Sequence, residues 1–309
     1  MDDPTFMCVP LFALRNSKCI HLSLGIGKLN SITYREKPII RHGCILWVQV
    51  VDYQSIFAQV NQLRLSPSRV NDFSNCPLLY KYRTIDQLPE SPSLDAERGT
   101  LVHTVLHDLF ESPAQSRTIK QATDLLPTRW QEQLALKPEL ASLITSEKEW
   151  LDRATALLTT YFELENPTSF EPTHRELHLE QDLSDEIYLH GYVDRLDVAP
   201  TGEVRIIDYK TGKAPKPGWE EKALFQLRVY ALLYWKEHNV IPKLLQLIYL
   251  GDGNLLKSTP TENELISTEK ALLKVAASIN EAIQTNTWNP RKSRLCDWCS
   301  FKPICPAHN

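Results

Sequence analysis

The sequence predicts an α/β fold in which a mixed central β-sheet is flanked by helices. Two observations carry this prediction. Residues 188–210 read as two strands rich in β-branched residues, joined by a short turn that contains Pro200, Thr201 and Gly202. Residues 66 to about 165 read as a block of helices. Helices before a hairpin, followed by further alternation of helix and strand, are typical of an α/β core with a mixed sheet.

The helical block opens at Ser66, because a serine followed by Pro67 is a good helix start. Leu- and Ala-rich stretches continue the block. The predicted helices cover residues 66–82, 97–110, 122–136 and 147–163. Pro167 and Pro172 end the block, since proline cannot continue a helix.

The second half of the chain supplies the sheet. Alternating Leu177 and Leu179 predict a strand ahead of the hairpin. The later predicted elements are a helix over residues 220–238, a strand over 244–250 and a helix over about 261–285. Glu176 is expected to be a strand-face carboxylate, with a place near the hairpin's charged end as the alternative.

The chain has 309 residues, and its predicted domains are an extension over residues 1–62 and a main domain over residues 63–309. The extension carries no motif; residues 44–51 within it could form a strand, and a start site assigned too far upstream stays an alternative. No apolar run approaches the roughly 20 residues that span a bilayer. Without a secretory signal, the expected location is the cytoplasm.

A formal net charge of −4 excludes a generally basic nucleic-acid binder. A local basic patch remains in the sequence, and an ordinary solvated face is the alternative interpretation. The lysines of this patch are Lys210, Lys213, Lys216 and Lys222.

The predicted hairpin places two carboxylates opposite each other. For a hairpin centred on Thr201, the predicted pairs are Val198 with Val204, Leu196 with Ile206, and Asp194 with Asp208. Alternation puts all six side chains on one face, with Lys210 just beyond. Two carboxylates about 5 Å apart at Cβ repel each other, and a divalent cation would relieve the repulsion. Solvated charges, relieved by Arg195 or Arg205, are the alternative, although alternation aims both arginines at the other face.

Two carboxylates and a lysine are residue types that suit phosphodiester hydrolysis. Carboxylate oxygens bind Mg²⁺ or Mn²⁺, and the cation lowers the pKa of a water while it neutralises phosphate charge. The lysine can orient the attacking water or stabilise the charge that develops on the phosphate. Asp194, Asp208 and Lys210 are therefore the predicted catalytic residues.

Asp194 followed by Asp208-x-Lys210 resembles the signature of the PD-(D/E)XK nuclease superfamily, with Asp as an accepted variant at the second acidic position. This resemblance implies a restriction-endonuclease-like core with a mixed central sheet. It covers most of the chain, and it adds an N-terminal helical insertion and a Cys-rich C-terminus to that core.

Two more segments resemble motifs of the RecB-like branch of that superfamily. Residues 99–103, Gly-Thr-Leu-Val-His, match its Gly-x-x-x-His element, and residues 226–230, Gln-Leu-Arg-Val-Tyr, match its Gln-x-x-x-Tyr element. Each motif is weak alone, because a lone His or Tyr on a helix is more often a packing residue. Their order and spacing reinforce one another.

The resemblance also implies a role for each matched residue. His103, Asp194, Asp208 and the backbone carbonyl of Tyr209 would hold Mg²⁺ or Mn²⁺, Lys210 would position and activate the water, and Gln226 and Tyr230 would support the site and the DNA strand. His103 is therefore counted with the catalytic residues.

The chain has seven cysteines, and four of them form a second pattern. Cys76 stands far from the tail motif Cys296-x2-Cys299-x5-Cys305. Four thiolates suit either tetrahedral zinc or a [4Fe-4S] cluster. The other three, Cys8, Cys19 and Cys44, have no recognisable spacing and are expected to be buried or free thiols.

One distant cysteine joined to a three-cysteine tail resembles the iron–sulfur staple of RecB-like nucleases of the AddB and CRISPR-associated type. This resemblance favours a [4Fe-4S] cluster over Zn²⁺, although ligand chemistry alone permits both. Disulfides fit poorly with an intracellular chain.

The combined pattern predicts a metal-dependent deoxyribonuclease, and the resemblance implies an exonuclease that acts on DNA ends or single strands in repair, recombination or defence. A helicase, recombination or CRISPR protein is the implied partner. The alternatives are a non-catalytic DNA-binding iron–sulfur scaffold of a helicase–nuclease complex and a zinc-stapled protein without nuclease activity. An intact set of His103, Asp194, Asp208 and Lys210 favours the enzyme, since a scaffold has no need of it.

Overall fold

The computed structural model describes residues 34–41, 44–51 and 62–308. The chain divides into two units, residues 1–60 and 61–309. Within the first unit, β1 (Tyr34–Arg41) and β2 (Cys44–Val51) pair as an antiparallel hairpin. The predicted strand over residues 44–51 is confirmed, and β1 has no counterpart among the predicted strands. Cys8, Cys19 and the side chain of Cys44 lie outside what the structure describes.

Helices dominate the part of the second unit that precedes the sheet. The α-helices of residues 62–308 are α1 (Pro67–Asn75), α2 (Pro77–Tyr80), α3 (Leu94–Leu109), α4 (Ile119–Leu136), α5 (Leu140–Leu143), α6 (Glu147–Leu164), α7 (Glu221–His238) and α8 (Glu262–Thr285). As predicted, Ser66 caps the first of them, and its Oγ accepts a hydrogen bond from the Arg69 N–H at 3.3 Å. The predicted helix over residues 66–82 is broken at Cys76, which is extended because Pro77 disfavours helical backbone in the residue before it.

The central sheet is mixed, as predicted. Its strands are β3 (Leu63–Leu65), β4 (His174–Ser184), β5 (Ile187–Val198), β6 (Val204–Lys210), β7 (Leu244–Tyr249) and β8 (Asn254–Ser258). The order is β3-β5-β6-β7-β8, and β4 pairs with β5. The β3–β5 and β6–β7 pairs are parallel, and the others are antiparallel. The short strands β3 and β8 were not among the predicted elements.

Each face of the sheet packs against its own set of helices. One core contains residues of α1, α7 and α8 with Leu196, Val204 and Ile206 of the hairpin. The other core contains residues of α3, α4 and α6 with Ile207 and Tyr209. The hairpin between β5 and β6 therefore contributes to both cores. Packing on both faces holds its charged end in place.

Strands β5 and β6 separate at their charged ends. Their register pairs Val198 with Val204 and Leu196 with Ile206, as predicted, but the ladder ends at Arg195 opposite Ile207. The predicted pair of Asp194 and Asp208 is not formed. Asp194 instead accepts a hydrogen bond on Oδ2 from the backbone N–H of Tyr209, at 2.7 Å.

The prediction that Asp194 shares a face with Leu196 is wrong. Val193 and Leu196 both lie in the core with α7 and α8, so strand alternation is interrupted between them. Asp194 lies on the side of α3, where it contacts His103. The two carboxylates thus approach the same place from opposite sides of the sheet.

The place where β5 and β6 separate is called the fork. A buried ion pair fixes β5 beside it. Arg195 is 1% exposed, and its guanidinium donates to both carboxylate oxygens of Glu165 at 2.7 and 3.0 Å. The same group donates to the hydroxyl of Tyr209 at 2.8 Å. Arg195 therefore lies on the face opposite Leu196, as predicted. It also anchors the side chain of Tyr209, the residue that follows Asp208.

Replacing Arg195 should destabilise the whole domain. Arg195→Met leaves the carboxylate of Glu165 buried and poorly paired, which costs about 3–5 kcal/mol. Urea unfolding followed by circular dichroism measures this cost. Arg205→Met is the matched control, since Arg205 contacts the same carboxylate at 3.6 Å but is 30% exposed in its side chain. Equal midpoints for the two variants would contradict a structural role of the buried pair.

Candidate metal centre

The fork between β5 and β6 opens into a cleft of about 850 Å³. Helix α3 forms one wall of the cleft, and the C-terminal end of β6 with the loop that follows forms another. Its lining includes His103, Glu176, Asp194, Tyr209 and Lys210. The sequence-predicted residues of α3, β5 and β6 therefore meet in one place.

Asp208 and Lys210 form one half of this centre. They lie on the same side of β6, and Lys210 Nζ is 2.7 Å from Asp208 Oδ2. Asp208 is buried, and burial together with the charge of Asp194 raises the pKa of Asp208 to about 6, against the opposing effect of Lys210.

The amide of Gln226 holds this pair from behind. It donates to Asp208 Oδ1 at 3.0 Å and to the hydroxyl of Tyr230 at 2.8 Å, while its oxygen accepts from Lys210 Nζ at 3.1 Å. Both residues lie on α7, which is the helix that the sequence predicted for them. The ring of Tyr230 rests on the backbone of β5 at Gly191, where an added Cβ would be 2.7 Å from its Cε1.

His103, Glu176 and Asp194 form the other half of the centre. One ligand-type atom from each lies within 4.8 Å of the others. His103 Nδ1 is 3.5 Å from Asp194 Oδ2. Burial alone would lower the pKa of His103, but the hydrogen bond and charge of Asp194, with the charge of Asp208, outweigh it and raise that pKa.

Glu176 is the residue that sequence reasoning placed less well. Glu176 is an exposed residue of β4, as expected, and it also lines the cleft beside Asp194, which was the alternative. Its backbone has φ +48°, which non-glycine residues seldom adopt. The surrounding protein and the charge of Asp194 raise the pKa of Glu176. The alternation of Leu177 and Leu179 gives no sign of this turn in the backbone.

Close backbone approach explains the glycine in residues 99–103. A Cβ at Gly99 would lie 3.2 Å from the Thr211 hydroxyl oxygen, so a small residue lets α3 approach the loop after β6. One helical turn later, His103 reaches the end of the sheet. The spacing thus has a steric reason as well as a chemical one.

The residues present fit a divalent cation. Carboxylate oxygens and a histidine nitrogen converge at the cleft, and such donors suit Mg²⁺ or Mn²⁺. Asp208 Oδ2 is buried and pairs with Lys210 Nζ at 2.7 Å. A carboxylate oxygen has more than one acceptor site, so Oδ2 can bind a cation beside Lys210, as can the exposed carboxylate of Glu176.

The four cysteines of the second pattern also meet. Cys76, at the break between α1 and α2, lines the same cavity as Cys296, Cys299 and Cys305. The backbone N–H of Arg291 donates to Cys76 Sγ and that of Ser293 to Cys296 Sγ, each at 3.4 Å. None of the four is in a disulfide.

The sequence profile of the PD-(D/E)XK nuclease superfamily matches residues 64–306, which include both halves of the centre and the four cysteines. The chain belongs to the PD-(D/E)XK nuclease superfamily. Nucleases of this superfamily are hydrolases that use divalent metals, and the family implies DNA as the substrate. The mixed sheet flanked by helices is the restriction-endonuclease-like fold expected of it.

Three proteins are similar to this PD-(D/E)XK chain. The Gene 69 protein of Mycobacterium phage D29 is 25% identical over 266 residues, with 78% of this chain and 96% of the phage protein covered. The Gene 69 protein of Mycobacterium phage L5 is 22% identical over 284 residues, with the same coverage. A crystal structure of a candidate exonuclease from Eubacterium rectale aligns with 82% of this chain and 92% of its own, at 13% identity and a TM-score of 0.49. Within the described residues, no helix is long and apolar enough to cross a membrane.

Proposed function

We propose that the chain is a Mg²⁺- or Mn²⁺-dependent deoxyribonuclease of the RecB-like branch, which acts as an exonuclease and carries a [4Fe-4S] cluster. The observation that carries the proposal is the meeting of His103, Glu176, Asp194 and Lys210 in one open cleft, with Asp208 buried beside Lys210. A repair, recombination or defence role in the cytoplasm, with a helicase as partner, belongs to the same proposal. So does the division into an extension over residues 1–62 and a nuclease domain over residues 63–309.

The cation-binding residues in this proposal are His103, Asp194, Asp208 and the backbone carbonyl of Tyr209, joined by Glu176. When bound there, the cation neutralises phosphate charge and lowers the pKa of a water. The hydrogen bond from the Tyr209 N–H fixes the orientation of Asp194. Arg195, which holds the Tyr209 hydroxyl, keeps that N–H in place.

Lys210 positions the attacking water in this mechanism. A lysine ammonium has three N–H donors. Two of them face Asp208 and Gln226, which leaves one for a water or a phosphate oxygen in the cleft. The amide of Gln226 holds both members of the pair, so it fixes the lysine relative to the carboxylates. Gln226 and Tyr230 act as positioning residues.

Glu176→Gln should weaken cation binding. The substitution keeps the size of the side chain and removes one charged oxygen ligand. We expect cleavage to need a severalfold higher Mn²⁺ concentration for half-maximal rate, with a smaller loss at saturating Mn²⁺. The readout is the rate as a function of Mn²⁺ concentration. Glu281→Gln, at an exposed position of α8, is the matched control, and an unchanged Mn²⁺ requirement for Glu176→Gln would remove Glu176 from the site.

The spacing of the cysteines supports an iron–sulfur cluster over zinc. A tetrahedral zinc with Zn–S bonds of about 2.3 Å needs sulfurs about 3.8 Å apart. Among the described residues, the groups of three whose ligand atoms all lie within 4.8 Å do not include these cysteines. A cluster of four irons separates its thiolates further than one ion does. Hydrogen bonds to the sulfurs tune the reduction potential of such clusters, and two N–H donors make such bonds here.

A nuclease assay tests the proposal. Anaerobically purified protein is incubated with end-labelled single- and double-stranded DNA and with Mg²⁺ or Mn²⁺, alongside Asp194→Asn. We expect the wild type to shorten DNA from an end and the variant to leave it intact. Internal cuts in a circular substrate would show that the protein is an endonuclease and not an exonuclease. Intact DNA in every reaction, from protein with a full cluster, would favour the non-catalytic scaffold.

A further inference from the structure

A row of aromatic and imidazole rings lies on one face of β4 and β5. Tyr188, His190 and Tyr192 alternate along β5, opposite the side that Leu189 and Val193 give to the core. His178 of β4 pairs with Tyr192. The ring centroids are 5.6 Å apart for Tyr188 and His190, 5.8 Å for His190 and His178, and 4.5 Å for His178 and Tyr192. These four side chains are called the ring row below.

The two rings of the row nearest the cleft, His178 and Tyr192, are exposed, and Tyr188 and His190 are half-buried. Tyr192 is 53% exposed, and its ring stacks on that of His178 at an interplanar angle of 24°. Helix α7 packs against β4 and β5, but its contacts belong to the core side of these strands. Contiguous apolar surface of this kind is typical of interaction sites.

The ring row leads directly to the metal centre. On β5 the same alternation continues from Tyr192 to Asp194, and on β4 Glu176 lies two residues before His178. Both strands therefore carry a ring next to a carboxylate of the cleft. A chain that lies along the rings would enter the cleft at these carboxylates.

The charges near the ring row suit a polyanion held mainly by stacking. Arg64 lies 4.1 Å from the ring centroid of Tyr188, at the end away from the cleft. Burial and the positive charges of Arg69 and Arg64 lower the pKa of His190 to about 4, so its ring is neutral at neutral pH. Glu180 accepts a hydrogen bond from the Tyr188 hydroxyl, so the carboxylate nearest to this ring is engaged within the protein.

We propose that the ring row is a stacking platform for the bases of single-stranded DNA and that it guides the strand into the cleft. The inference rests on the proposed nuclease function and names its substrate. Bases of a single strand expose their faces to aromatic rings, and such stacking tolerates any sequence. Bases inside a duplex stack on each other and cannot use the row.

Oligonucleotide binding tests the platform without any need for cleavage. The protein carries Lys210→Ala, and the probe is a fluorescein-labelled oligothymidylate of about 12 nucleotides, within the site sizes of known single-strand binders. Tyr192→Ala should weaken binding by about 5- to 150-fold, as expected for the loss of one stacked base. Tyr192→Phe keeps the ring and should keep the affinity. His178→Ala should repeat the loss at the neighbouring ring.

The matched control is His238→Ala, because the ring of His238 pairs with that of Tyr234 at 4.3 Å on another surface. His238→Ala should not change the affinity for the oligothymidylate. The ring-row variants should not change the affinity for a blunt duplex. With two arginines as the cationic contacts, log Kd should rise with log salt at a slope of only about 1.4.

Three results would overturn the platform. The first is wild-type affinity in folded Tyr192→Ala and His178→Ala proteins. The second is an equal loss for the blunt duplex. The third is a change in sedimentation of Tyr192→Ala with unchanged affinity, which would make the face a contact with a second copy of the chain. If the ring-row variants lose affinity but the wild type does not cleave DNA, the platform proposal stands and the nuclease function is rejected.

Discussion

Lys210→Ala should lower the rate of DNA cleavage by about 100- to 1,000-fold or more, the usual cost of removing a positioned donor from an active site. The ammonium is the cation of the described residues nearest to Asp208, at 2.7 Å from Oδ2. Without it, neither a water nor a phosphate oxygen in the cleft has a donor fixed by Gln226. Single-turnover cleavage of end-labelled DNA at saturating Mn²⁺ measures the loss.

Lys213→Ala is the matched control for this experiment. Lys213 lies three residues further along the chain and is exposed, so it can contact phosphates but cannot reach the carboxylates through the same hydrogen bonds. We expect little change in the single-turnover rate from Lys213→Ala. A Lys210→Ala protein that cleaves as fast as Lys213→Ala would exclude Lys210 from catalysis and with it the proposed mechanism.

Cys299→Ala should remove the visible absorbance of the purified protein and destabilise it. Three thiolates hold a cluster poorly. Cys76 and Cys299 are also far apart in sequence, and a cross-link that closes so long a loop contributes about 2–5 kcal/mol. Anaerobic purification followed by metal analysis and thermal unfolding measures both effects. We expect iron and sulfide in the wild type and little of either in the variant.

Other contacts should keep the C-terminal segment partly attached when the cluster is lost. Tyr82 packs on Phe301 with ring centroids 5.1 Å apart, and Tyr80 stacks on Trp288 at 6.1 Å. The variant should therefore unfold at a lower temperature but still fold. Cys8→Ala is the control for loss of a thiol outside the four. Zinc in place of iron in the wild type would reject the cluster, and an unaltered spectrum in Cys299→Ala would reject this cysteine as a ligand.

The most local features of this protein were predictable from its sequence. The register of Val198 with Val204 and Leu196 with Ile206 follows from the turn at Thr201 and the apolar alternation on both sides. The helix start at Ser66 follows from capping chemistry. Gln226 and Tyr230 share one helix face because they are four residues apart. Each depends on neighbours in sequence, where backbone geometry is fixed by a few residues.

The tertiary structure alone decided how these pieces combine at the metal centre. The fork between β5 and β6 depends on Asp194 replacing a ladder hydrogen bond at Tyr209, a choice that alternation cannot show. Glu176 enters the cleft through a left-handed backbone angle that its side-chain pattern does not reveal. The fork is held by distant parts of the chain, because His103 of α3 contacts Asp194 and Glu165 pairs with Arg195. Contacts between residues far apart in sequence follow from the packing of whole helices and strands, and no short pattern records them.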